Sequence, residues 1–364
     1  MTYPPVFDGH NDWLTAREPT GPTGRSFLER RAEGHLDLPR GREGGFAGGL
    51  FAVMAPARPM VNPPSRQSAR KRPPSARKAS APADFVATPF APVDRRDAQD
   101  FVIQKMADLF SQEVESGGQL KVVRSVAELK RCLRAKTLAA VIHFEGAEPI
   151  DPDLDALVVF HRAGLRSLGI AWSRPNAFGH GVSFDFPGSP DCGPGLTDAG
   201  RALVRACNEL GILIDVSHLN EKGFRDVAVT SDAPLVATHS CAHALCPAPR
   251  NLTDRQIDAI SASGGLIGVN FHTGFLREDG RPDPDTPLTA IVRQIDYIAG
   301  RIGIEGVALG SDFDGATMPN ALGDAAGLPR LMEALRAAGY TGSALRKIAH
   351  ENWLRVLGRT WKPS

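Results

Sequence analysis

The sequence predicts an α/β fold of the (β/α)8 barrel type. Three observations carry this expectation. Eight short apolar runs are spaced along the chain, amphipathic stretches separate them, and His and acidic residues gather where the runs end. Runs that are apolar on both faces suit a parallel sheet covered by helices. Their alternation with helices through most of a 364-residue chain suits one closed barrel. An open doubly wound sheet is the alternative, but no G-x-G-x-x-G follows the first run.

In chain order the runs are 5–8, 49–54, 139–144, 165–171, 213–216, 234–238, 266–270 and 307–310. Each has the length and apolar content of a buried strand. Two of the intervening stretches read clearly as helices. From Thr197, the residues Leu203, Val204, Cys207 and Leu210 fall on one face at helical spacing. From Thr253, a Gln three residues on makes a capping box, and Gly264-Gly265 closes the helix. Residues 1–364 therefore read as a single domain, interrupted by an excursion at about 57–94. There Pro, Ser, Ala, Arg and Lys dominate without periodicity, a composition that cannot bury a core. Its cluster Arg70, Lys71, Arg72, Arg77 and Lys78 offers charge to an acidic partner, although a solvated loop is the simpler reading.

Composition excludes several classes. With 42 basic and 41 acidic residues, nothing points to nucleic acid. No apolar stretch approaches the ~20 residues that span a bilayer. The opening MTYPPVFDGHND lacks the basic start and apolar core of a secretory signal, so a cytoplasmic location is expected. Five cysteines (Cys132, Cys192, Cys207, Cys241, Cys246) without a C-x-x-C pair argue against both a disulfide framework and a thiolate zinc site.

The chemistry collects at strand ends. The first run leads into His10 and Asp12, the third into Glu145, the fifth into His218, the sixth into His239, and the eighth into Asp312 and Asp314. In a parallel barrel these ends share one face, the face that carries active sites. Imidazoles and carboxylates converging there have the make-up of a hydrolytic metal site. A lone His at a strand end is more often structural, but five strand ends would each need a separate explanation.

The segments DGHNDWL, HFEGAE, IDVSHLN, ATHSCAHALC, RNLTD, GSDFDG and ENWLRVL follow one another from about residue 6 to 358. This series resembles the motifs of the membrane (renal-type) dipeptidase family, peptidase family M19, in its soluble bacterial form. The resemblance implies a dipeptidase with two Zn2+ per chain. His10 and Asp12 would bind one ion, His218 and His239 the other, and Glu145 would bridge them. Manganese or cobalt would also suit such donors. A metal-bridging hydroxide would attack the peptide carbonyl of an L-Xaa-L/D-Xaa dipeptide. Asp312 would be the catalytic acid/base, and Arg250 would meet the C-terminal carboxylate of the substrate. Family members are often dimers, so a homodimer is a further expectation, whereas neither nucleic acid nor membrane is. H-x-D at the first strand, rather than H-x-H, and a glutamate rather than a lysine at the bridging position disfavour phosphotriesterase-like barrels.

One position departs from the family. A substrate-contacting histidine follows the fourth strand in well-known members, and this chain reads IAWSRPNAFGHG, with Trp172 in its place. An indole shapes a pocket and donates one N–H, but it carries no proton in turnover. His180 is a candidate to swing into the vacancy, and His272, just past the seventh strand, to line the pocket. His243 reads as a support for a ligand, and His143 and His350 as structural. Asp314 reads as a carboxylate that caps its own loop. Trp172 also keeps open a metal hydrolase of another amide or ester, such as an N-acyl amino acid or a lactam. A non-catalytic binding barrel is the remaining alternative, against which the intact ligand set argues.

Overall fold

The computed structural model describes residues 3–16, 26–56 and 90–362, so most of the basic excursion, 57–89, lies outside the described residues. Nine strands form one sheet among the described residues: β1 (Val6–Asn11), β2 (Phe46–Val53), β3 (Leu120–Val122), β4 (Leu138–Glu145), β5 (Leu165–Gly169), β6 (Leu213–Asp215), β7 (Val236–Ser240), β8 (Leu266–Val269) and β9 (Val307–Leu309). Eight of them run β1-β2-β4-β5-β6-β7-β8-β9, and every pairing is parallel. These are the eight runs read from sequence, and the architecture is the expected (β/α)8 barrel. β3 is an addition that pairs with β4 outside the ring. Its three residues, Leu120, Lys121 and Val122, are too few to register as a strand pattern.

The ring closes between β9 and β1 through a few bonds. Asn11 bridges Phe313 in parallel. Asp312 N donates to the His10 carbonyl (2.9 Å) and Asp12 N to the Phe313 carbonyl (2.7 Å). Below them the Asp8 carboxylate accepts from Ser311 N (2.6 Å) and Ser311 Oγ (2.8 Å). The seam of the barrel thus runs through the segments that carry the predicted ligands.

Strand pleat sorts the core into two layers. Ile142 and Phe144 of β4 face the helices, as do Ile214, Ile267 and Leu309, against Val204, Val227, Ile257 and Ile295. Val141 lies with Phe7, Leu50, Leu213, Val236, Leu266 and Ala308 in a second cluster. The C-terminal helix Asn352–Thr360 fills that cluster with Trp353, Val356 and Leu357. The Trp353 indole also donates to the Leu309 carbonyl (3.1 Å) and tilts against Phe7 (6.0 Å). Continuing along β4, His143 and Glu145 keep the parity of Val141, so the side of the sheet that packs apolar groups below presents polar ones above.

The expected helix starts are present. Thr197 Oγ1 accepts from Gly200 N ahead of helix Asp198–Leu210, and Thr253 and Gln256 form a reciprocal capping box before helix Asp254–Ala262. All five cysteines are free thiols. Trp353→Ala should lower stability by about 3–5 kcal/mol, since it empties the plug and orphans a carbonyl. Val229→Ala, at an 83% exposed site, should stay within ~0.5 kcal/mol. Denaturant midpoints of the two variants test the pair.

Candidate metal centre

At the C-terminal ends of the strands, two donor groups share one buried site. His10, Asp12 and Asp312 form one, and Glu145, His218 and His239 the other, each with ligand atoms within 4.8 Å of one another. Glu145 links them. Its Oε1 lies 2.9 Å from His218 Nε2 and 3.5 Å from His239 Nε2, and its Oε2 lies 3.7 Å from His10 Nε2. His10 Nε2 is 3.4 Å from Asp12 Oδ2. All six residues are buried.

Local backbone geometry aims these groups. β1 pairs irregularly with β2 between Asp8 and Asn11, and β7 with β8 between Ala237 and Ser240, which re-aims His10 and His239. His218 (φ 68°), Asp312 (φ 64°) and Asp314 (φ 68°) take left-handed backbone conformations uncommon for residues with a Cβ. Such strain is tolerated where surrounding bonds enforce it. The His218 carbonyl accepts from Val182 N (2.8 Å), and Asp312 N is tied to His10. A Cβ at Gly315 would run into the carboxylates of Asp12 and Asp312, which explains the glycine in GSDFDG.

The electrostatics describe a pocket rich in donors and short of positive charge. Burial opposes a charged His10, but Glu145, Asp12 and Asp312 outweigh it and push its pKa up to about 10. Burial, with Asp12 and Asp312 against His10, lifts Glu145 to about 8. Burial, aided by the charges of Arg250 and His10, holds His218 and His239 well below the usual histidine range. Their Nε2 atoms face each other at 3.2 Å. Neither His10 nitrogen has a hydrogen-bond partner among the described residues. A buried His10 ring with neither nitrogen partnered, and two further imidazoles pressed toward neutrality, converge on shared carboxylates; such a donor set fits divalent cations.

A supporting layer sets the imidazole tautomers, as assigned from the hydrogen-bond network. Asp215 accepts from Ser217 N and Thr238 N through Oδ1 (both 2.9 Å), so it is a fixed carboxylate. Thr238 Oγ1 donates to Asp215 Oδ2 (2.6 Å), which leaves its oxygen to accept from His239 Nδ1 (2.8 Å). His239 Nε2 then presents a lone pair to the centre. Ser173 Oγ contacts His218 Nδ1 in the same way (2.9 Å). Asn270 Nδ2 donates to Asp312 Oδ2 (2.9 Å). Sequence reasoning singled out none of Ser173, Asp215, Thr238 or Asn270. The available signal was a single polar residue within or just after an apolar run.

A cavity of about 350 Å3 opens onto the centre, within the range of small-molecule sites. Asp12, Glu145, His218, His239 and Asp312 line it, with Arg250, Trp172 and His272. Arg250 is 3% exposed. It donates to Ser240 Oγ (3.0 Å) and the His239 carbonyl (2.9 Å), while its Nε has no hydrogen-bond partner among the described residues. His272 Nδ1 accepts from Thr317 N (3.2 Å), which leaves the ring proton on Nε2, beside Gly274. His180 is not among the lining residues; its carbonyl accepts from Asn220 N (3.4 Å). His243 contacts the Gly188 carbonyl (2.8 Å), and His350 the Pro5 carbonyl (2.9 Å), both holding backbone. His143 is closer to the chemistry than its sequence reading suggested: its ring meets His10 edge-on (5.4 Å) and bonds Ser167 Oγ (2.8 Å). Asp314 Oδ1 accepts from His35 N (2.5 Å), pinning its loop to a neighbouring one.

Asp215→Asn keeps the shape of the support but reverses its polarity. The amide would donate to Thr238 Oγ1, whose hydroxyl would turn toward His239 Nδ1 and move the ring proton to Nε2. Affinity of the metal-free protein for Zn2+, measured by calorimetry, should fall about 10–100-fold with the fold intact; unchanged affinity would show that Thr238 does not control the tautomer.

Comparison with known proteins agrees with this geometry. The sequence model of "Membrane dipeptidase (Peptidase family M19)" matches residues 1–362. An uncharacterized Klebsiella pneumoniae protein encoded in the pqqA 5' region is 54% identical over 266 residues, 73% of this chain and 98% of that one. The crystal structure of the dipeptidase AC, an M19 metallopeptidase, superposes with a TM-score of 0.86 at 46% identity, covering 99% of each chain. A Rhodobacter sphaeroides metallopeptidase, crystallised with a phosphinate mimic of the dipeptide L-Ala-D-Ala, superposes with a TM-score of 0.86 at 45% identity, covering 99% of this chain and 100% of that one. Within the described residues no helix is long and apolar enough to cross a membrane. A barrel whose strand ends hold linked His/carboxylate groups, matched by a family model over nearly its whole length, belongs to the membrane dipeptidase family, peptidase family M19.

Proposed function

We propose that the chain hydrolyses the peptide bond of L-Xaa-L/D-Xaa dipeptides with two zinc ions, one held by His10 and Asp12, the other by His218 and His239, and Glu145 between them. The observation that carries this reading is that Asp12, Glu145, His218, His239 and Asp312 line one cavity with the buried Arg250, while His10, wholly buried, completes the first donor group. The dipeptide mimic bound by the Rhodobacter sphaeroides relative supports it. When bound, the ions supply a water activated for attack at neutral pH and polarise the scissile carbonyl.

The remaining work falls to side chains. Arg250 offers its unpaired Nε–H, and the Nη hydrogens not used by Ser240 and His239, to the substrate carboxylate in a planar fork. A longer peptide has no carboxylate at that distance from its first peptide bond, which restricts the enzyme to dipeptides. Asp312 is held at Oδ2 by Asn270, leaving Oδ1 toward Asp12 and Gly315. It takes the proton of the attacking water and returns it to the departing amine as the C–N bond breaks, releasing two amino acids. N-acyl amino acids carry the same carboxylate, and Trp172 in place of the family histidine makes them the second substrate class to try.

The test is metal analysis together with hydrolysis of L,L- and L,D-dipeptides and N-acyl amino acids. About two zinc ions per chain, with cleavage abolished by a chelator, is the expected result. Stoichiometric metal without cleavage of any dipeptide would reject the dipeptidase assignment. Asp312→Asn should retain its metal while kcat falls by about 10²–10⁴, and a near-wild-type rate would remove Asp312 from proton transfer. Arg250→Ala should chiefly raise KM for dipeptides; an unchanged KM would dispose of the carboxylate clamp.

A further inference from the structure

The group that holds a substrate carboxylate also decides where the adjoining side chain goes, because both are attached to one Cα. Around Arg250 that space is aromatic. Its guanidinium carbon lies 5.8 Å from the Phe275 ring. Phe275 stacks on Phe184 at 6.3 Å and 9°, and Phe184 tilts against Trp172 at 5.7 Å. Phe90 extends the cluster, 4.7 Å from Trp172 and 5.8 Å from Phe184. Trp172 and Phe184 reach back to the His218 ring, at 5.9 and 6.3 Å.

Topology separates this wall from the rest of the mouth. Trp172 and Phe184 follow β5, Arg250 follows β7 and Phe275 follows β8. His272, also after β8, stands edge-on to Phe275 (4.6 Å) and is the polar neighbour of the wall, whereas Thr15, Ala16, Met54, Asp314, Gly315 and Ala316 follow β1, β2 and β9, and none of these is aromatic. Phe184 remains 40% exposed. Because that ring is contiguous with Phe275, Trp172 and Phe90, it belongs to an apolar patch beside the cavity rather than standing alone, and such patches mark ligand grooves.

Resting on the dipeptidase reading above, we propose that the Phe275–Phe184–Trp172 wall selects dipeptides whose C-terminal residue is aromatic or large and aliphatic. With its carboxylate on Arg250, that residue lays its side chain on Phe275 and Phe184. An aromatic ring gains most there, since ring pairs add to the burial of apolar area. An acidic side chain loses its hydration against the same surface.

The experiment compares kcat/KM for Ala-Phe, Ala-Leu, Ala-Ala and Ala-Asp, with the second residue in both L and D forms, using zinc-loaded wild type and Phe184→Ala. Ala-Phe and Ala-Leu should exceed Ala-Ala and Ala-Asp by at least about tenfold in the wild type. Phe184→Ala should compress the Phe-to-Ala ratio by about tenfold, mainly through KM. Cleavage with a flat profile, or one favouring Asp, overturns the aromatic selection and leaves the dipeptidase activity standing. A ratio that Phe184→Ala does not move overturns the role of the wall. No cleavage of any of these dipeptides removes the activity and the inference together. The wild-type profile decides the matter even where the variant fails to fold.

Discussion

Three buried carboxylates, those of Asp12, Glu145 and Asp312, are the constraint around which this molecule is organised. Negative charges gathered out of water are strongly unfavourable unless cations or protons compensate them. The protein provides a buried cation that lines the cavity, Arg250, and the carboxylates raise the pKa of the His10 imidazole. The other two imidazoles are pressed toward neutrality. The remaining compensation can come from protons or from divalent ions, and the convergence of imidazole and carboxylate donors favours the ions.

The fold meets this demand by placing the donors on the elements that close the barrel. His10, Asp12 and Asp312 lie on both sides of the β9–β1 seam, and their backbone groups are the bonds that join it. Ring closure and donor geometry are therefore one structural feature. Below the seam, Asp8 and Ser311 tie the same two segments, and Trp353 packs the base. The left-handed backbones of His218, Asp312 and Asp314 store strain at the rim, held there by hydrogen bonds to neighbouring loops. Outside the donors, Asp215, Thr238, Ser173 and Asn270 convert orientation into chemistry by deciding which nitrogen or oxygen faces the centre.

The cavity divides along the same circle of strands. Strands β9, β1 and β2 contribute acids, small residues and a methionine, while the loops after β5 and β8 contribute aromatic rings. The bond-breaking groups sit on strand ends, whose positions the sheet fixes, and the aromatic wall sits on loops that can vary without disturbing them. Trp172, on the loop after β5, lines the pocket beside Phe184 without belonging to the donor set.

The eight ring strands, two helix caps and the six strand-end residues that converge in one buried site were legible in the residues themselves. Strand polarity and chain order place every C-terminal end on one face, so local pattern is enough to gather His10, Asp12, Glu145, His218, His239 and Asp312. Local pattern could not reveal β3, whose three residues carry too little periodicity. Nor could it separate His272, which lines the cavity, from His180, which does not, because both sit in loops whose path depends on packing. It also missed Asp215 and Thr238, since a polar residue in an apolar strand declares its purpose only when its partner across the sheet is known. The distances that join Glu145 to three imidazoles, and the aromatic surface assembled from residues 90, 172, 184 and 275, were decided by tertiary structure alone, because they arise between segments far apart in the chain.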